Sequence, residues 1–398
     1  MRRARLGDAA RFINGAAFKP TDWASEGLPI IRIQNLTGTG EHFNYTTRQV
    51  KDELVVEQGD LLVSWSATLD VYRWDGPRGL LNQHIFKVLP KPGVDPDFLF
   101  FALKSVIAEL EGKTHGSTMK HVVRGDFEGT LIPLPEIHEQ QRIVDLLSRA
   151  EGIVRLRRQA QQKAAALIPA IFVDMFGDPA TNPRGWPTRP LGDLLSAIDS
   201  GKSPKCHDRS RQDNEWGVLR LSAVSSCEYD DTEHKTLPAE VESDTTLEVQ
   251  AGDLLLSRKN TAELVGASAY VWKTAGRMLL PDLIFRLCIS DAADLDAIYL
   301  WKLLTSSAKR RALTRLASGS AGSMPNISKE RLRTLPIELP PRALQERFSH
   351  RVQQIRGIAV QQASALDKAE QVFEAMLARA FSEGGSASAV RNAEEVVA

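Results

Sequence analysis

Residue strings that could carry a reaction are few in this chain, and each lacks a part that its chemistry needs. Ser200-Gly201-Lys202-Ser203 has the closing residues of a phosphate-binding loop, but Ser196 stands where the first glycine would let backbone N–H groups cradle a phosphate. Pro96-Asp97 followed by Glu111-Gly112-Lys113 imitates a metal-dependent nuclease. The run Phe98-Leu99-Phe100-Phe101-Ala102-Leu103 between them reads as a core-packed helix, however, and the second half of the chain has no matching Glu-x-Lys. Cys206-His207 with Cys227 and His234 follows no metal-ligand spacing, and three cysteines fit no disulfide frame. Neither an Asn-Pro-Pro-Phe nor an Asp-Pro-Pro-Tyr string, the adenine methyltransferase signature, occurs, and there is no Gly-x-Gly-x-x-Gly. The expectation is a chain with no catalytic residue, no metal and no cofactor of its own.

Binding chemistry is better represented. Fifty Lys and Arg cancel fifty Asp and Glu, but distribution matters more than the sum. Between Gly112 and Gly125 stand Lys113, Lys120 and Arg124 with His115 and His121, and no acid. From Ala297 to Lys329 there is again no acid, while Lys302, Lys309, Arg310, Arg311, Arg315 and Lys329 occur. Two such stretches at matching positions read as two copies of a polyanion-binding edge, of the kind a nucleic acid such as double-stranded DNA would suit. Phosphate anchoring, which positions without reading sequence, is assigned to Lys113, Lys120, Arg124, Arg311, Arg315 and Lys329. Base reading needs forked or amide side chains on loops. The candidates are Gln83, His84, Ser117, Arg258, Lys259, Asn260 and Ser320. The competing readings are a cross-strand surface pair for Gln83-His84 and an exposed strand end for Arg258-Lys259-Asn260.

Such residues need a frame, and the frame is visible in an apolar spacing that alternates between four and three. Ile143, Leu147, Ala150, Val154, then Arg157 and Gln161 as a polar break, then Ala164, Ile168, Ile171 and Met175 trace a coiled-coil seam. The seam returns 205 residues later at Phe348, Val352, Ile355, Ala359, Gln362, Leu366, Ala369, Phe373, Met376 and Ala380. Pro169, inside the first helix, should kink it.

The approach to each seam repeats as well. Leu6-Gly7-Asp8 matches Leu191-Gly192-Asp193. Gly59-Asp60-Leu61-Leu62-Val63-Ser64 matches Gly252-Asp253-Leu254-Leu255-Leu256-Ser257, a turn feeding a buried strand. Ile30 to Leu36 and Val218 to Val224 read as strands, Pro96 to Leu110 and Leu295 to Leu316 as helices, and Leu131 to Leu134 and Leu335 to Leu339 as closing strands. The expected organisation is a globular domain at 1–135, a long helix at 136–177, a linker at 178–190, a second globular domain at 191–340, a second long helix at 341–383 and a disordered tail at 384–398. The fold class is mixed α/β, two tandem-repeated domains each followed by a helix, the helices forming an antiparallel coiled coil. No run approaches the ~18 apolar residues of a membrane span, so no membrane is expected and a cytoplasmic location is.

This ordered, duplicated set resembles the specificity subunit of type I restriction-modification systems, over residues 1 to about 385. The motifs are Leu-Gly-Asp, Gly-Asp-Leu-Leu-x-Ser, and Leu134-Pro135 leading to Gln140-Gln141-Arg142, matched by Leu339-Pro340 leading to Gln345-Glu346-Arg347. The resemblance implies two target-recognition domains, each reading one half of a bipartite DNA site, with the helices setting the spacer and docking two methyltransferase subunits. Those subunits, not this chain, would bind S-adenosylmethionine, and motor-nuclease subunits would join for restriction. A coiled-coil scaffold with two protein-binding domains, or a nuclease or methyltransferase, is the alternative.

Overall fold

The computed structural model describes residues 2–40, 42–66, 68–113, 124–318, 324–382 and 390, without the side chains of 111–113. The chain forms two compact units, 1–160 with 362–398, and 161–361.

Unit one holds a four-stranded antiparallel sheet ordered β2 (Ala10–Asn14), β9 (Ile85–Pro90), β6 (Leu61–Ser66), β7 (Thr68–Arg73). A smaller sheet runs β4 (Asn44–Thr46), β3 (Leu28–Ile31), β8 (Gly79–Leu81), β5 (Val55–Val56), with β3 and β8 parallel. Strand β1 (Arg3–Arg5) pairs with β10 (Leu131–Pro133). Helices α1 (Leu6–Ala9), α2 (Ile33–Leu36), α3 (Pro96–Lys113) and α4 (Arg124–Gly129) complete it.

Unit two repeats the plan. Its four-stranded sheet is β12 (Leu195–Ser200), β18 (Ile284–Ile289), β15 (Leu254–Ser257), β16 (Ser268–Tyr270). Its smaller sheet is β14 (His234–Thr236), β13 (Gly217–Leu219), β17 (Met278–Leu279), with β13 and β17 parallel. Strand β11 (Thr188–Pro190) pairs with β19 (Pro336–Glu338). The helices are α6 (Ser222–Ser225), α7 (Ala297–Leu304), α8 (Ser307–Leu316) and α9 (Lys329–Arg333).

The repeated Gly-Asp motif has the same mechanics in both units. Gly59 and Gly252 adopt φ of 91° and 100°, a left-handed turn that a side chain disfavours. The next residue caps that turn and meets a cation from the neighbouring strand. Asp60 accepts from the Glu57 N–H at 2.7 Å and pairs with Lys87 at 2.6 Å, and Asp253 accepts from Gln250 N–H at 2.9 Å and pairs with Arg286 at 3.4 Å. Burial of Lys87 and Arg286 is tolerable because carbonyls complete their shells, Val55 at 2.7 Å and Glu248 at 3.0 Å.

Two long helices, α5 (Ile137–Phe176) and α10 (Arg342–Phe381), each contribute to both units. In unit one, Ile143, Leu147 and Ala150 share a core with Met376, Leu377, Ala380 and Phe381, to which Phe373 adds a ring against Phe101. In unit two, Ile168, Phe172, Met175 and Phe176 pack with Phe348 and Val352, and Ile171 and Ile355 lie against the same core. Val154 is buried and Leu366 half-buried. Within each unit α10 recedes as α5 advances, an antiparallel pair.

Two expectations need correcting. Strands that should have run to Leu36 and Val224 stop at Ile31 and Leu219, because short helices follow; Asn35 Oδ1 accepts from the Arg32 N–H at 3.0 Å and starts α2. One helix over 295–316 is two: Ser306 Oγ accepts from Lys309 N–H and opens α8 where α7 has ended. Helix α5 runs through Pro169 and on to Phe176. The tail at 384–398 lies outside the described residues apart from Val390, which is buried in the core of unit one.

Candidate nucleic-acid interface

In unit two the basic stretch falls on α7, α8 and α9, and the helical period sorts its cations. Lys309 stands four residues before the fully buried Leu313 and turns inward with it; its ammonium bonds Glu338 at 2.8 Å. Arg310 donates to the carbonyls of Val265 at 2.9 Å and Glu263 at 2.8 Å. Burial pushes the Lys302 pKa down, and its ammonium lies 5.8 Å from the Trp301 ring. Those three serve the fold. Arg311 and Arg315, one turn apart, are exposed and have no hydrogen-bond or ion-pair partner among the described residues. Lys329, half-buried at the start of α9, lies 5.7 Å from the Phe285 ring.

Arg258, Lys259 and Asn260 follow β15, and their backbone is zipped to 325–327. Asn260 N–H donates to the Pro325 carbonyl at 3.3 Å and Ile327 N–H to the Arg258 carbonyl at 2.8 Å. Arg258 Nε donates to Asn326 Oδ1 at 3.1 Å, and its guanidinium lies 5.4 Å from the Phe285 ring. Asn260 departs from the expectation of a loop side chain. It is 7% exposed, its amide nitrogen donates to Ser225 Oγ at 3.3 Å and its oxygen accepts from Thr261 N–H at 2.9 Å. Lys259 is the member of the trio whose side chain has no partner among the described residues.

In unit one Gln83 and His84 form the turn between β8 and β9, closed by Ile85 N–H on the Asn82 carbonyl at 3.1 Å. They are therefore turn neighbours rather than a cross-strand pair. Gln83 Nε2 and His84 Nε2 are 3.3 Å apart, and the His84 ring lies 5.5 Å from Trp65, which stacks on Phe86. Gln83 Oε1 and His84 Nδ1 are buried without a hydrogen-bond partner. Each such group costs about 1–3 kcal/mol, and unspent hydrogen-bonding capacity is what a polar ligand can satisfy. Arg124 is exposed but occupied, donating to Glu128 at 2.7 Å and to the Phe12 carbonyl at 2.8 Å. Lys113 closes α3; its side chain, with Ser117, Lys120 and Ser320, lies outside the described residues.

Sequence reasoning passed over one further cluster. The Arg32 guanidinium lies 4.8 Å from the Trp23 ring, and Trp23 and Tyr45 are 42% and 39% exposed. A signal for it stands in the sequence: Ile31-Arg32-Ile33 matches Leu219-Arg220-Leu221, which puts Arg32 and Arg220 at equivalent positions of the two copies.

The catalytic look-alikes dissolve into structure. A Cβ on Gly201 would lie 1.6 Å from the Leu280 carbonyl oxygen, so this glycine permits a backbone crossing. Asp97 pairs with Arg73 at 2.9 Å. His234 spends both ring nitrogens, Nε2 accepting from Arg211 N–H at 3.0 Å and Nδ1 meeting the Asp231 carbonyl at 2.7 Å. Among the described residues no group of three or more His, Cys, Asp or Glu could hold a metal ion, and no helix is long and apolar enough to cross a membrane.

Residues 2–165 match the family model described as Type I restriction modification DNA specificity domain. The Type I restriction enzyme EcoEI specificity subunit of Escherichia coli is 34% identical over 230 residues, 57% of this chain and 38% of that protein. Across five such curated relatives the match spans 31% to 38% of their own length. A chain from the structural basis of complex assembly and conformational transition of the type I R-M system matches with a TM-score of 0.55 at 19% identity, covering 95% of this chain and 97% of that one. The S subunit of the type I system from M. genitalium matches with a TM-score of 0.50 at 13% identity, covering 96% of each. At such identities the likeness speaks to the fold.

Proposed function

We infer that this chain is a DNA specificity subunit of a type I restriction-modification system and selects the DNA site on which a larger complex acts. Each unit reads one half of a bipartite sequence, and α5 and α10 set the unread spacer and dock two methyltransferase subunits. The observation that carries this reading is the duplication itself: two units whose larger sheets have the same strand order, each with a Gly-Asp turn whose carboxylate meets a cation from the neighbouring strand. A split-site reader is usually a symmetric dimer; a tandem repeat in one chain lets the two halves diverge and read different sequences.

Within that reading the chain is non-catalytic and works in the cytoplasm. S-adenosylmethionine binds the methyltransferase subunits, and motor-nuclease subunits join for restriction. Gln83 and His84 contact bases in one half-site, Arg258 and Lys259 in the other, and Arg311 and Arg315 grip phosphates.

The test separates ruler from reader. Duplicating Gln159-Ala160-Gln161-Gln162 together with Ser364-Ala365-Leu366-Asp367 lengthens each helix by about 6 Å at ~1.5 Å per residue. Duplex advances ~3.4 Å per base pair, so the spacer should grow by one or two pairs while both half-sites stay unchanged. Methylome sequencing of a strain carrying the duplication reads the outcome. Altered half-sites, or an unchanged spacer in an active complex, would overturn the proposal.

A further inference from the structure

The two units place an arginine at the same point of the smaller sheet and then use it differently. Arg32 follows β3 and Arg220 follows β13. Each turns toward the first residue of the antiparallel neighbour strand, Asn44 of β4 and His234 of β14. In unit two the guanidinium is fully engaged along one edge. Arg220 Nε donates to the His234 carbonyl at 3.0 Å and Nη2 to an Asp208 carboxylate oxygen at 2.5 Å, so its charge is paired within its own unit.

In unit one the fork stays open. With its amide oxygen facing Arg32, Asn44 accepts from Nη1 at 3.1 Å and from Nη2 at 3.0 Å, one hydrogen from each. The second hydrogen of each terminal nitrogen has no partner among the described residues, and Nε is buried without one. No carboxylate among the described residues pairs with the charge. The guanidinium stands over the Trp23 ring at 4.8 Å, a contact that holds a cation without using an acceptor atom. Trp23 is itself held, its N–H donating to the Pro20 carbonyl at 3.2 Å and the next N–H, of Ala24, to the Tyr45 carbonyl at 2.9 Å. An arginine fixed at two points, with its charge uncompensated beside an exposed ring, is oriented for two adjacent acceptors. Guanine offers such a pair, O6 and N7, on its major-groove edge.

We propose that Arg32 recognises a guanine in the half-site read by unit one, with Asn44 and Trp23 as its positioning residues, and that Arg220 makes no such contact in unit two. The proposal rests on the reading of the chain as a DNA specificity subunit.

Methylome sequencing of strains carrying single substitutions tests it. The wild-type strain should give a bipartite motif with a G·C pair in at least one half-site. Arg32→Ala should relax the requirement for that pair at one position, lowering its preference by roughly 5- to 150-fold, the range a bidentate contact supplies, while the other half-site and the spacer stay unchanged. Arg32→Lys, which keeps the charge and lacks the fork, should relax the same position. Trp23→Ala should relax it less, and Trp23→Phe, which restores a ring, should keep it. Arg220→Ala should lower the melting temperature and leave both half-sites as they were. The proposal is overturned by methylation that weakens on all sequences alike, which is the mark of a phosphate contact, by changes spread over both half-sites, or by relaxation in Arg220→Ala. Loss of all methylation in both Arg32 variants would make Arg32 a structural residue and overturn it too. A bipartite motif that the Arg32 variants leave intact sinks this proposal alone, whereas a wild-type strain with no bipartite motif sinks the specificity reading with it.

Discussion

Arg157 Nη1 donates to Gln362 Oε1 at 3.0 Å, and the two residues are separated by 205 positions, the repeat interval of the long helices. They are thus the same position in each copy, meeting face to face. In an antiparallel pair of repeated helices such self-matching can occur only near the midpoint, so the polar break in both seams becomes a register mark. A lone polar pair in an apolar seam specifies alignment at a cost in stability. A double-mutant cycle of Arg157→Ala and Gln362→Ala, followed by urea unfolding, should return a coupling of about 0.5–1.5 kcal/mol. Additive single losses would show that the contact contributes nothing.

Burial separates the seam of α5 from its outer face. Leu147→Asp places a charge in a fully buried site and should cost several kcal/mol, enough to lose the folded state. Leu156→Asp, at a residue 62% exposed, should change stability by less than about 0.5 kcal/mol. Circular dichroism melts compare the two, and similar losses would contradict the packing.

Gln140 and Gln345 explain why a glutamine follows Leu-Pro in both copies. Gln140 accepts from Asp95 N–H at 2.8 Å and donates to the carbonyls of Gly93 at 3.0 Å and Pro135 at 2.8 Å. Gln345 does the same with Asp296 N–H at 2.9 Å and the carbonyls of Asp294 at 3.0 Å and Pro340 at 2.8 Å. Either Gln→Leu change strands three backbone groups and should cost about 3 kcal/mol or more. Chemical denaturation with an unchanged midpoint would refute the clamp.

Neighbouring arginines on α8 should behave differently. Arg311→Ala and Arg315→Ala should each lower the salt slope of DNA binding by about one and weaken all sequences alike. Arg310→Ala removes two carbonyl contacts and should lower the melting temperature instead. A change of sequence preference at Arg311 or Arg315 would mean that these residues read bases.

The frame was legible because periodicity and duplication are one-dimensional properties. Seam positions, the Gly-Asp turns and the Leu-Pro-to-Gln approaches all stand at fixed spacings. Local hydrogen bonds that override a run of Ile and Leu are not visible at that level, which is why the strand reading ran past Ile31 into a helix started by Asn35. The site was less legible, because a basic residue counts the same whether it faces in or out. Spacing from Leu313 would have sorted Lys309 from Arg311. Nothing in the sequence marks Asn260 as inward, since its partners Ser225 and Pro325 are distant in the chain.

The division of the long helices has a consequence for biosynthesis. Unit two is one uninterrupted stretch, 161–361, whereas the core of unit one needs Met376, Leu377, Ala380 and Phe381. Domains generally fold in the order they leave the ribosome, at about 5–20 residues per second. Here the first unit to emerge is the last that can be completed. Roughly 10 to 40 s of elongation separate the exit of Ala160 from that of its missing helix. For that interval Ile143, Leu147 and Ala150 lack the α10 residues that complete their core, and the faces left open are the surfaces a chaperone holding the nascent chain would cover.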